Sequence, residues 1–158
     1  MSDIEGVELL LKQHPFCQGM ETEVRRLLAE CAMSEYFQAG QYLFREGMAA
    51  DRFYLIRHGD VALEVHVPGR EPVIVETLHE GDILGWSWLV PPYKWLVDAR
   101  AAQLVRAISV NADHLRARYE CDHSLAYELF RRFIPIMAHR LEAGKLQMID
   151  IYGKVKRR

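Results

Sequence analysis

The chain has 158 residues, 50% of them apolar and 27% charged, with a formal net charge of −2; this is room for one domain with a substantial core and no overall pull toward nucleic acid. No run of about 18 apolar residues exists to span a membrane. The N-terminus, MSDIEGVELLLKQ, carries acids where a secretory signal has a basic start, so a cytoplasmic location is expected.

Ile4 to Gln13 has apolar residues at helical spacing, and His14-Pro15 ends that helix because proline disfavours helix in the residue before it. A second helix is expected over Glu21 to Ala32, with acids in its first turn and Val24, Leu27, Leu28 and Cys31 on one face. From Ser34 to about Val110 the pattern changes to short β-type runs. Gly40, Gly47, Gly59, Gly69 and Gly81 punctuate them about every ten residues, the spacing of a sandwich or barrel of short antiparallel strands. The clearest run is Val61 to Val67, where Val61, Leu63, Val65 and Val67 alternate with Ala62, Glu64 and His66; period two predicts one buried and one solvated face. The segment Val67 to Pro72 reads as a hairpin tip.

Helix returns at Asn111. A short helix over Ala112 to Tyr119 precedes a long one capped by Asp122. The long helix carries Leu125, Leu129, Phe133, Ile136 and Met137 at spacings of three and four, with Pro135 inside it as an expected kink. Continued to Ile149 it would run about 40 Å, more than a small barrel needs for cover. That stripe is therefore the candidate seam of a homodimer. The expected organisation is one domain over 1–158: N-terminal helices 1–33, a β-barrel 34–110, closing helices 111–150 and a basic tail 151–158.

The segment FQAGQYLFREGMAADRFYLIRHGDVALEV, starting at Phe37, resembles the front half of the cyclic-nucleotide-binding domain, the family of the catabolite activator protein and the regulatory subunits of protein kinase A. Gly40, Leu43-Phe44, Glu46-Gly47, Asp51, Phe53 to Ile56, and Gly59 followed by Val61 carry the resemblance. LLKQHPF at the front, GDILG at Gly81 to Gly85, DARA at Asp98 to Ala101 and the helices from Asn111 extend it over nearly the whole chain. The resemblance implies a mainly β jelly-roll barrel with N-terminal helices and a long C-terminal helix. It also implies a ligand-sensing, non-catalytic role for a phosphate-binding loop after Gly85.

That loop departs from the family pattern. The family opens it with a glutamate for the ribose hydroxyl and later places an arginine, then small residues, for the cyclic phosphate. Here it reads GWSWLVPPYKWLVDARA. Trp86 stands at the glutamate position, Trp95 at the arginine position, Leu96 at the following small residue, and Asp98 where threonine is common. A charge-assisted contact is worth about 1.5–3 kcal/mol, so losing the arginine alone removes one to two decades of affinity. Cyclic AMP or cyclic GMP held in the family's manner is not expected, and no other cofactor is implied. A one-residue shift would bring Lys94 toward the phosphate, with backbone N–H groups near Trp86, Ser87 and Trp88, and keeps a cyclic nucleotide as the alternative ligand. The candidate ligand site is thus Leu84, Gly85, Trp86, Ser87, Trp88, Lys94, Trp95 and Leu96. Its indoles either plug the pocket or form an aromatic wall for a different flat ligand or a protein partner.

Other chemistries fit less well. A cupin-like metal site wants H-x-H on a strand, and His58, His66 and His79 do not supply it. Cys17, Cys31 and Cys121 are odd in number and widely spaced, without C-x-x-C, as reduced thiols are; all three are expected as small core residues. No G-x-S-x-G elbow or P-loop is present. MIDIYGKV resembles the hinge before the DNA-binding domain of the family's transcription regulators, so DNA binding by this chain alone is not expected.

Overall fold

The computed structural model describes the backbone of residues 3–156 and the side chains of residues 4–153. Helix α1 (Asp3–Gln13) ends at His14, and a single 3-10 turn, Pro15–Cys17, follows. His14 is buried and closes this junction. Its Nδ1 accepts from the Phe16 N–H at 3.2 Å, so the proton sits on Nε2, which donates to the Ile56 carbonyl at 3.1 Å. Helix α2 (Thr22–Glu30) presents Val24 and Leu28 to the core.

Eight strands follow: β1 (Ala32–Phe37), β2 (Tyr42–Phe44), β3 (Arg52–His58), β4 (Val61–Val65), β5 (Val73–Leu78), β6 (Ile83–Leu84), β7 (Asp98–Ala101) and β8 (Val105–Asn111). They form two four-stranded antiparallel sheets, β1-β8-β3-β6 and β2-β7-β4-β5. This is the expected jelly-roll architecture, with one difference. Among the described residues no ladder joins one sheet to the other, so the sheets face each other across the core and do not close into a barrel. The predicted alternation in β4 also fails on one side. Ala62 and Glu64 are buried along with Val61 and Leu63, because Arg100 of β7 reaches over Glu64, Nε to Oε1 at 2.6 Å.

Helix α3 (Ala112–Tyr119) is capped by Asn111, whose Oδ1 accepts from the His114 N–H, and α4 (His123–Lys156) by Asp122, whose Oδ1 accepts from the Leu125 N–H. At 34 residues α4 is about 51 Å long. It continues through Pro135 and past the expected end of the closing helices, so the start of the expected basic tail is helical. Arg157 and Arg158 lie outside the described residues. The stripe expected as a dimer seam is not a free surface. Leu125, Leu129 and Phe133 are fully buried in the chain's own core, Ile136 packs against that core, and Met137 is half-buried. Among the described residues no helix is long and apolar enough to cross a membrane.

Two tests follow from this packing. Gly59 has φ of +88° and a side-chain carbon there would overlap the Leu104 carbonyl, whereas Gly69, at φ +76°, has open space around it. Gly59→Ala should lose about 2–4 kcal/mol in chemical denaturation and Gly69→Ala only about 1 kcal/mol. The His14 imidazole titrates below its ordinary value because burial disfavours its charged form, against the opposing effect of the Ile56 hydrogen bond. A depressed folded value means that its contribution is complete above the unfolded pKa of about 6.5 and is lost as pH falls through the folded one. His79 runs the other way, raised by its hydrogen bond to Asp60. The fall in urea midpoint between about pH 7 and pH 5 should therefore be shallower in His14→Gln than in the parent.

Candidate functional site

The chain leaves β6 at Gly85, makes one 3-10 turn over Ser87–Leu89 and returns as an extended segment to β7. Gly85, at φ +97°, lies where a side-chain carbon would collide with the six-membered ring of the Trp95 indole. The returning segment is pinned to the β2–β3 connection: Gly47 N–H donates to the Trp95 carbonyl at 2.9 Å, Trp95 N–H to Met48 at 3.0 Å and Ala50 N–H to Tyr93 at 2.8 Å. Extended backbone alternates its side chains, so this pairing decides which residues face inward. Trp95 turns in, 4% exposed, and stacks on Phe44 with ring centroids 3.7 Å apart and planes 7° from parallel. Lys94 turns out and is exposed.

Six of the eight expected ligand-site residues, Leu84, Gly85, Trp86, Ser87, Trp95 and Leu96, line one cavity of about 170 Å³. Lys94 and Trp88 do not. The reading in which Lys94 approaches a phosphate fails on the alternation just described. Trp88 leaves the expected aromatic wall for the core. It is fully buried, stacked on Phe53 at 5.1 Å and 18° and edge-on to Phe133 of α4 at 5.4 Å. Arg116 of α3 donates to the Trp88 carbonyl at 2.7 Å and lies 4.4 Å over the Tyr93 ring, which ties both ends of the loop to the closing helices. Asp98 faces away from the cavity; its Oδ1 accepts from the Glu46 N–H at 2.7 Å and pairs with Arg45 at 3.4 Å. Its work is to hold the β2–β3 connection.

Sequence reasoning missed the opposite wall of the cavity. Phe44, Leu63, Val75 and Val97 supply its apolar part, and Glu76 of β5 with Arg140 of α4 its charged part. Arg140 is largely buried, 12% exposed in its side chain, and donates to the Ile83 carbonyl. One turn pair further on, Gln147 donates to the Val75 carbonyl at 2.7 Å. These two contacts lay α4 along β5 and β6 as a cover. The hairpin tip at Val67 to Pro72 points to a strand after it and the helical stripe to α4, but neither shows that the two meet at this cavity.

Among the described residues no group of three His, Cys, Asp or Glu side chains is placed to hold a metal ion. Cys17 is buried and its thiol is pushed up to about 11 by that burial. Cys121 departs from the expected core position and is exposed after α3.

Comparison with known proteins agrees with this fold. A sequence model described as "Cyclic nucleotide-binding domain" matches residues 34–120. The chain is 35% identical over 75 residues to the cAMP-dependent protein kinase regulatory subunit of Eremothecium gossypii, which covers 48% of this chain and 16% of that protein. It is 25% identical over 134 residues to the CRP-like cAMP-activated global transcriptional regulator of Mycobacterium tuberculosis, covering 85% of this chain and 58% of the relative. The chain thus spans less than two thirds of the length of these curated relatives. Among solved structures, a candidate cyclic nucleotide-binding protein from Geobacter metallireducens superposes with a TM-score of 0.74 at 26% identity, covering 89% of this chain and 99% of that one.

The three indoles differ in burial: Trp88 and Trp95 are shielded and Trp86 is half-buried. Acrylamide should therefore quench mainly one emitting population, and Trp86→Phe should remove most of the quenchable emission. Equal quenching before and after that substitution would contradict this packing of the loop.

Proposed function

Because the chain belongs to the cyclic nucleotide-binding domain family, we propose that it is a non-catalytic regulatory module whose pocket no longer takes a cyclic nucleotide in the family's manner. The observation that carries this reading is Trp95, buried flat against Phe44 and over Gly85, at the position where the resemblance calls for the phosphate-binding arginine. An indole there offers no charge and takes up the room. The remaining cavity, about 170 Å³, is also below the roughly 300–1,000 Å³ usual for ligand sites. The module responds instead to a different small ligand or to a protein partner. Its output is α4, linked to the loop through Trp88 and Phe133, since packed aromatic contacts shift as a unit between discrete arrangements. A cytoplasmic location is part of the proposal, and the unpaired cysteines support it.

The expected homodimer uses the other face of α4. Tyr127, Ile134, Leu141 and Met148 are exposed at intervals of seven; three residues after them stand exposed Phe130, half-buried Met137, Gly144 and exposed Ile151, apolar at three of the four places. This is the a/d pattern of a two-stranded coiled coil. Leu141→Glu with Met148→Glu should convert a dimer to a monomer in size-exclusion with light scattering while leaving the far-UV spectrum unchanged. A parent protein that is monomeric at tens of micromolar would remove the dimer from the reading.

The ligand half is tested by calorimetric and fluorescence titration with cyclic AMP and cyclic GMP. No saturable response up to millimolar concentration is expected. Trp86→Glu, Trp95→Arg and Leu96→Ala together should then raise affinity at least about tenfold by restoring the charge-assisted contacts. Micromolar binding by the parent would mean that the indoles move aside and that the reading is wrong.

A further inference from the structure

We propose that the cavity beneath α4 is a site for a small single-ring aromatic carboxylate, with Arg140 binding the carboxylate and Trp86, Leu63 and Val75 enclosing the ring. This deepens the proposed function and rests on its premise that a cyclic nucleotide is not the ligand.

Size comes first. A cavity of about 170 Å³ compares with the roughly 150 Å³ that encloses one benzene ring. That volume suits one ring with a short acidic arm better than a base, a ribose and a phosphate together. The lining sets the chemistry of the ring: it is mostly aromatic and aliphatic, with Ser87 the one neutral polar side chain and Glu76 and Arg140 the charged ones.

The charged pair sets the polar end. Arg140 is largely buried, yet the carboxylate it faces, Glu76, stays 3.9 Å from its Nε, outside hydrogen-bonding reach. It donates instead to a neutral acceptor, the Ile83 carbonyl. A guanidinium has five N–H donors in a planar fork suited to a carboxylate, so this one is underused where it sits. Burial lowers its pKa from the ordinary arginine value, against the opposing effects of the Glu76 and Asp82 carboxylates. Both residues also line a larger open groove of about 650 Å³ between the Gly81 turn and α4. The pair is thus the partition between groove and cavity. An acid arriving through the groove replaces Glu76 at the guanidinium, and Glu76, about a third exposed with 30% of its side chain in contact with solvent, swings toward water. The ligand's negative charge offsets the one displaced, so the buried charge balance is unchanged.

Phenylacetate is the probe, phenylacetamide its neutral counterpart, and cyclic AMP is titrated alongside, all by calorimetry on the full chain. Phenylacetate should saturate in the sub-millimolar range and the amide should bind at least about tenfold more weakly. Arg140→Gln should weaken phenylacetate about 10- to 100-fold and leave the amide unchanged. Glu76→Gln should tighten phenylacetate, because it removes the competing carboxylate; a merely structural pair would not move in opposite directions. Val75→Phe fills the cavity without touching Arg140 and should abolish binding of both, which keeps the test open if Arg140→Gln fails to fold. Acid and amide binding alike, or no saturation by phenylacetate up to about 10 mM, would overturn the proposal. If cyclic AMP is silent as well, the proposed function still stands; saturation by cyclic AMP would overturn that reading instead.

Discussion

Trp88 is buried between Phe53 of β3 and Phe133 of α4, and the arrangement of the loop and closing helices depends on it. An aromatic side chain of this class buries about 150–250 Å², which at about 25 cal/mol/Å² amounts to roughly 4–6 kcal/mol. Against this stands its Nε1, buried without a hydrogen-bond partner among the described residues, at a cost of about 1–3 kcal/mol. Burial wins by a margin that explains why the indole goes in whole. A short loop that places its central residue in the core between sheet and helix cannot shift while α4 stays fixed. Phe16, edge-on to Phe133 at 5.2 Å and to Phe53 at 6.3 Å, brings the N-terminal segment into the same cluster.

The other two tryptophans follow from the path the loop must take once Trp88 is in place. Trp95 is directed inward by antiparallel pairing with Met48 and Gly47, and Gly85 leaves the space that its ring needs. Trp86, beside the same glycine, is left half-buried at the cavity. One loop thus divides its indoles among three places: Trp88 against the helices, Trp95 stacked on Phe44 and Trp86 at the cavity. The pocket that results is about 170 Å³ and mostly apolar in its lining, and its buried cation, Arg140, comes from α4 rather than from the loop. A ligand engaging that cation would touch the helix directly, which shortens the path from binding to response.

Helix α4 shows why a hydrophobic stripe does not name its own partner. Leu125, Leu129 and Phe133 repeat at intervals of four and face the core; Tyr127, Ile134, Leu141 and Met148 repeat at intervals of seven and face solvent. Both patterns are apolar and both are present in the sequence. The helix carries one face for its own domain and a second along a length that the domain cannot cover. Inward contacts continue beyond the core through Arg140 and Gln147, so the same helix holds the cover of the cavity and an exposed apolar face.

Local physics made much of this legible from the residues alone. Positive-φ glycines at 40, 47, 59, 69 and 81 marked the turns, proline at 15 closed α1, Asn111 and Asp122 capped the last two helices, and the ordered motifs implied the jelly roll. The concentration of indoles in the loop after Gly85 was equally visible, as were six of the residues around the cavity. The inward turn of Trp95 and outward turn of Lys94 were not, because loop register is set by pairing with residues nearly fifty positions away. Burial of Ala62 and Glu64 depended on Arg100 reaching across from another strand. The placement of Arg140 beside Glu76 depended on a helix returning over β5 from more than sixty residues downstream. Sequence spacing determined the elements, their caps and the chemical character of the loop; the tertiary structure alone decided which faces met, because burial and hydrogen bonding between distant segments select among side-chain directions that local pattern leaves equivalent.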